Sequence, residues 1–166
     1  MNASTQRPSA ASSDERIVAT YEEDLEFAAA EVWPFFDWPN LHLMQPGGFF
    51  AEIDYAEPRP VAGATRTIRL GGVGNGLPLV ETLLESDPVA MRLRYRITDP
   101  APMPIRCYEG DVRVESIDAE RCRVHFASSC TLSGIDAATW RAAYRDMQRG
   151  SLQFIAQTLA QTRARR

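Results

Sequence analysis

From residue 89 to 98 the chain reads VAMRLRYRIT. Val89, Met91, Leu93, Tyr95 and Ile97 alternate with Ala90, Arg92, Arg94, Arg96 and Thr98. A period of two sends one set to a buried sheet face and the other to water, which predicts an antiparallel strand covered on one side. Similar runs occupy 16–26 (RIVATYEEDLE), 48–57 (GFFAEIDYAE), 64–70 (ATRTIRL), 77–87 (LPLVETLLESD), 105–117 (IRCYEGDVRVESI) and 120–132 (ERCRVHFASSCTL). In the second run the pattern places Phe49, Ala51, Ile53 and Tyr55 on one face. In the last it places Val124, Phe126, Ser128 and Cys130 together. Gly110 inside its strand marks a bulge or bend.

The period changes twice. FAAAEVWPFFDWPNLHLMQPG, at 27–47, suggests two short helices whose length Pro34 and Pro39 limit. After Asp136, an N-cap residue type, Trp140, Tyr144, Met147, Ser151, Ile155 and Leu159 form one stripe near helical period. That predicts a helix over roughly 136–162. The order is strand, short helices, six strands, long helix. The sheet needs one face covered, and the final helix is the only large amphipathic cover. The fold class is therefore α+β: a curved seven-stranded antiparallel sheet wrapped around a C-terminal helix. Residues 1–15 are small and polar and read as a disordered tail; 16–162 form a single domain.

Composition narrows the function classes. The 166 residues carry a net charge of −4, against the basic field expected of a nucleic-acid binder. The three arginines of 92–96 read as a solvated stripe paired with neighbouring acids. Every basic residue is arginine, so side-chain amine chemistry of the Schiff-base kind is excluded. No run approaches a membrane span and no apolar leader opens the chain, so the expected location is cytoplasmic. Cys107, Cys122 and Cys130 lack paired spacing and read as reduced, buried thiols. His42 and His125 are the only histidines, and His125 should face outward; no metal or cofactor is expected. The glycine-rich RLGGVGNGLPLVE (69–81) has neither dinucleotide nor P-loop spacing and reads as a hairpin turn.

Several segments in order resemble the START-like (SRPBCC) superfamily, which includes polyketide cyclases/dehydrases and lipid-transfer domains. They are DLEFAAAEVWPFFDWPN, the GATR of 63–66, LVETLLESDPVAMRLRYRI, YEGDVRVES and RGSLQFI. The resemblance implies a helix-grip fold with a ligand cavity between sheet and long helix, and a ligand gate near Gly71–Leu77. It turns Glu81 toward that cavity and makes Tyr108 an inward strand tyrosine.

Two functions follow. In the first, the cavity binds a small hydrophobic or aromatic molecule, with Glu81, Leu83, Met91, Tyr95, Tyr108, Phe126, Ser128, Trp140, Tyr144 and Met147 around it. In the second, Glu81 and Tyr108 transfer protons in a cyclase/dehydratase-type reaction. For Glu81 a structural role, bonded to Arg66 or a tyrosine, stands beside both. A ligand-free interaction domain is the third reading, and a homodimer is left open.

Overall fold

The computed structural model describes residues 15–72 and 74–165. The tail expected at 1–15 therefore lies, but for its last residue, outside the described residues. Seven strands form one sheet: β1 (Ile17–Leu25), β2 (Phe50–Tyr55), β3 (Thr65–Leu70), β4 (Leu79–Asp87), β5 (Arg92–Ile97), β6 (Ile105–Ser116) and β7 (Cys122–Leu132). Their order is β1-β7-β6-β5-β4-β3-β2, with every neighbouring pair antiparallel. A meander thus runs from β2 to β7, and the first strand closes beside the last.

Between β1 and β2 the chain makes α1 (Ala29–Val32), then 3-10 turns over Trp33–Phe35 and Trp38–Gly47. Pro34 and Pro39 each open a 3-10 turn, where a missing N–H costs nothing. Val32, Trp33, Phe35, Trp38, Leu41 and Met44 are buried, so this segment closes one side of the core.

The long helix α2 (Ala137–Ala164) starts where Asp136 accepts hydrogen bonds from Thr139 N at 2.9 Å and Thr139 Oγ1 at 2.8 Å. Its buried line is Trp140, Tyr144, Gln148, Leu152 and Ile155. This corrects the expected stripe, since Met147, Ser151 and Leu159 are only half-buried. Steps of four and three keep 140, 144, 148, 152 and 155 on one face. That line passes through a glutamine, which a search for apolar positions skips.

Three strand expectations are also corrected. Val89 is 93% exposed, because Asp87 Oδ1 accepts from Val89 N and Ala90 N, both at 2.9 Å, and turns the chain there. Met91 ends that turn with φ 48, and the strand begins only at Arg92. In β2 a bulge between Phe50 and Glu52 leaves Ala51 exposed and turns Phe50, Ile53 and Tyr55 inward. In β6 the irregularity falls between Arg106 and Glu109, at Cys107 with φ 50, and not at Gly110. The Cys107 amide bonds the Asp99 carboxylate at 3.2 Å, so its thiol is exposed, while Cys122 and Cys130 are buried.

Candidate functional site

Arg66 and Glu81 face each other across the β3–β4 ladder, both turned to the inner face. Arg66 donates from Nε to Glu81 Oε2 at 2.7 Å, and its Nη2 lies 2.6 Å from the same oxygen. Nη1 donates to Trp38 O at 2.9 Å, and the guanidinium stacks over the Trp38 ring at 4.1 Å. A carboxylate among aliphatic side chains must find donors or neutralise; here one guanidinium answers it. Both contacts converge on Oε2, so Glu81 Oε1 has no protein partner among the described residues.

Beside this pair lies a cavity of about 90 Å³ between sheet and α2. Glu81, Tyr95, Phe126 and Tyr144 line it as the sequence suggested. The helical segment contributes Phe35, Phe36, Leu41 and Met44, β2 contributes Phe50, and α2 adds Gln148 and Ser151. Sequence reasoning missed these seven. The proline-broken run at 27–47 held the signal for four of them, because its aromatic and aliphatic residues had no assigned face.

The other expected residues sit apart from the lining. Leu83 is fully buried in the core and Met91 belongs to the β4–β5 turn. Trp140 is buried with its ring 6.0 Å from Tyr144, and Met147 lines a neighbouring groove. Tyr108 is buried behind Tyr95, the two ring centroids 6.0 Å apart. Ser128 is buried too; it lies near enough to Tyr108 and Tyr144 to act on both phenols, yet its Oγ makes no hydrogen bond of good geometry among the described residues. Burial first, then the negative charge of Glu81, raises the Tyr95 pKa; burial and then Tyr95 raise that of Tyr108. Burial also raises Tyr144. All three phenols therefore keep their protons at neutral pH and act as hydrogen-bond donors.

The groove of about 340 Å³ alongside shares Met44, Phe50 and Ser151 with the cavity. Those side chains form the partition between the two spaces. The described residues of the glycine-rich loop line neither space. A Cβ on Gly71 would meet Gly48 O at 2.0 Å, and Asn75 N donates to Pro102 O at 3.2 Å. Close backbone approach and left-handed turns, such as Gly74 with φ 82, account for its glycines.

Of the arginine stripe on the outer face, Arg92 pairs with Asp111 and Arg94 with Glu85, while Arg96 is exposed. His125 faces outward between Glu22 and Glu115, at 3.2 and 3.1 Å.

Residues 16–161 match the family model described as polyketide cyclase / dehydrase and lipid transport. The chain belongs to that family. Solved structures of this helix-grip group superpose well. The XoxI protein of Bacillus cereus has a TM-score of 0.71 at 14% identity, over 86% of this chain and 94% of that one. Norcoclaurine synthase from Thalictrum flavum, in complex with dopamine and hydroxybenzaldehyde, has a TM-score of 0.67 at 12% identity, over 89% and 88%. A solution structure from Thermobifida fusca has a TM-score of 0.65 at 27% identity, over 84% and 90%. No curated protein matches significantly. The likeness is one of fold: a seven-stranded antiparallel sheet with a long C-terminal helix and short helices after the first strand.

Proposed function

We propose that this family member binds a small hydrophobic or aromatic molecule in the cavity between the sheet and α2. The observation that carries the reading is an enclosure walled mainly by aliphatic and aromatic side chains, which the protonated Tyr95 and Tyr144 phenols and the Arg66–Glu81 pair also line. Apolar walls with a few placed polar groups are the usual composition of ligand sites. That a solved protein of the same fold holds two small aromatics accords with this reading.

The enclosure is small, about 90 Å³. A single aromatic ring needs Met44 or Phe50 to swing aside, which joins the cavity to the groove behind them. The proton-transfer alternative draws less support. Glu81 Oε2 already takes two arginine nitrogens, and phenols whose pKa is raised by burial release protons poorly near neutral pH.

The test is a titration with p-cresol followed through backbone amide NMR signals. Saturable shifts should appear at Gly110, Ser128, Tyr144 and Gln148. Absence of saturable shifts, or shifts confined to the outer face around His125, would overturn the reading.

A further inference from the structure

Charge inside the cavity is already committed. Arg66 is the one cation among its lining residues, and its three nitrogens go to Glu81 and to Trp38 O while its face stacks on the Trp38 ring. Asp111, the other charged lining residue, is held by Arg92 from the outer face. An ion entering this space would lose its water and find no unpaired opposite charge, which is strongly unfavourable.

Neutral hydrogen-bond donors, in contrast, are gathered at one spot. Tyr95 on β5 stands opposite Gly110 on β6, and Gly110 stands opposite Ser128 on β7. A Cβ built on Gly110 would lie 2.5 Å from Tyr95 Cζ and 2.8 Å from its hydroxyl oxygen. The phenol ring therefore rests on the bare glycine backbone and reaches across it. Ser128, next in that row, is buried beside Tyr108 and Tyr144 and outside the lining; of these hydroxyl groups, those of Tyr95 and Tyr144 belong to residues that line the cavity. Gly110 is thus a positioning residue: only without a side chain there can the Tyr95 hydroxyl reach over β6.

We propose that the site selects a neutral ligand bearing a hydrogen-bond-accepting oxygen, of the carbonyl or ether kind, held by the Tyr95 and Tyr144 hydroxyls that line the cavity, and that it rejects carboxylates. This rests on the reading of the cavity as a ligand site and adds the ligand's charge and its polar contact.

Three probes of matched shape separate the possibilities: benzaldehyde, toluene and benzoate, each titrated into the full chain by NMR. Toluene reports whether the cavity admits a ring at all. Benzaldehyde should bind the native protein at least tenfold more tightly than benzoate. Tyr144→Phe and Tyr95→Phe should each weaken benzaldehyde by about three- to tenfold, the range of one neutral hydrogen bond, and leave toluene within twofold. Glu81→Gln leaves the Arg66 charge uncompensated, so benzoate binding should rise by tenfold or more while toluene changes little. Should Glu81→Gln fail to fold, the other two variants still decide. Benzoate binding as tightly as benzaldehyde overturns the proposal, as does an equal loss of toluene and benzaldehyde in both variants. Failure of all three probes overturns the ligand-site reading, and this inference with it.

Discussion

Gly110 shows how much one missing side chain can decide. In most strands a glycine weakens the ladder, and alanine would stabilise it by restricting the unfolded chain. Here the expected sign is reversed. An alanine Cβ would sit 2.5 Å from Tyr95 Cζ, so the ring or the strand must shift. Gly110→Ala should lower stability by about 1–3 kcal/mol, the usual cost of overpacking, measured by urea denaturation. It should also move the NMR signals of Ser128. A variant as stable as the native protein would show that Tyr95 has room to leave its place. Sequence reading marked this glycine as special but gave it the wrong reason. The bend it anticipated lies at Cys107, where the Asp99 carboxylate holds the backbone. Glu81 was legible as an inward carboxylate. That Arg66 would take two contacts on a single oxygen was not, because the pairing depends on β3–β4 register.

At the scale of the element, α2 offers opposing effects on one helix. Asp136 bonds two groups of Thr139, and its pKa is lowered by those bonds, the backbone bond first. Asp136→Ala should cost about 1 kcal/mol, typical of a lost N-cap. Gly150 sits mid-helix with open space where its Cβ would go. Gly150→Ala should gain up to about 1 kcal/mol, the propensity difference between the two residues. Thermal melts of the two single variants and the double variant check both values. The sites lie several turns apart, so the effects should add. The helix itself was readable from its period; its rotation was not. Met147 and Gln148 are neighbours, and only the curve of the sheet chooses which one turns inward.

For the whole molecule, the shared consequence of burial is a proton inventory. Cys122 and Cys130 have pKa values pushed up to about 11, chiefly by burial, from an ordinary value of 9.0. Tyr95, Tyr108 and Tyr144 are raised from 10.0 for the same leading cause. These groups hold protons more tightly when folded, so the unfolded chain binds fewer protons once pH exceeds its own values. Stability linked to them is fully present below about pH 9, by the ordinary thiol and phenol values, and falls as pH rises. Melting temperature should therefore decline from about pH 9 upward, more steeply past pH 10 as the phenols join. Cys130→Val should soften the early part of that decline. A melting temperature flat to pH 11 would contradict the burial of these groups.

The sequence by itself determined the seven strands, their antiparallel sense, the long helix and its start at Asp136, because alternation, helical period and capping are local properties of consecutive residues. It also determined that chemistry needing a lysine amine has no place here. Only the tertiary structure decided which residues meet. The bulge in β2 turned Phe50 inward, the Asp87 turn removed Val89 and Met91 from the sheet, and the partition of Met44 and Phe50 left a cavity of about 90 Å³. The bulge and the partition depend on contacts between segments far apart in the chain, whereas the Asp87 turn is local but is not marked by alternation alone. A one-residue change of register or a small rotation of a helix exchanges inside for outside, and no local pattern specifies it.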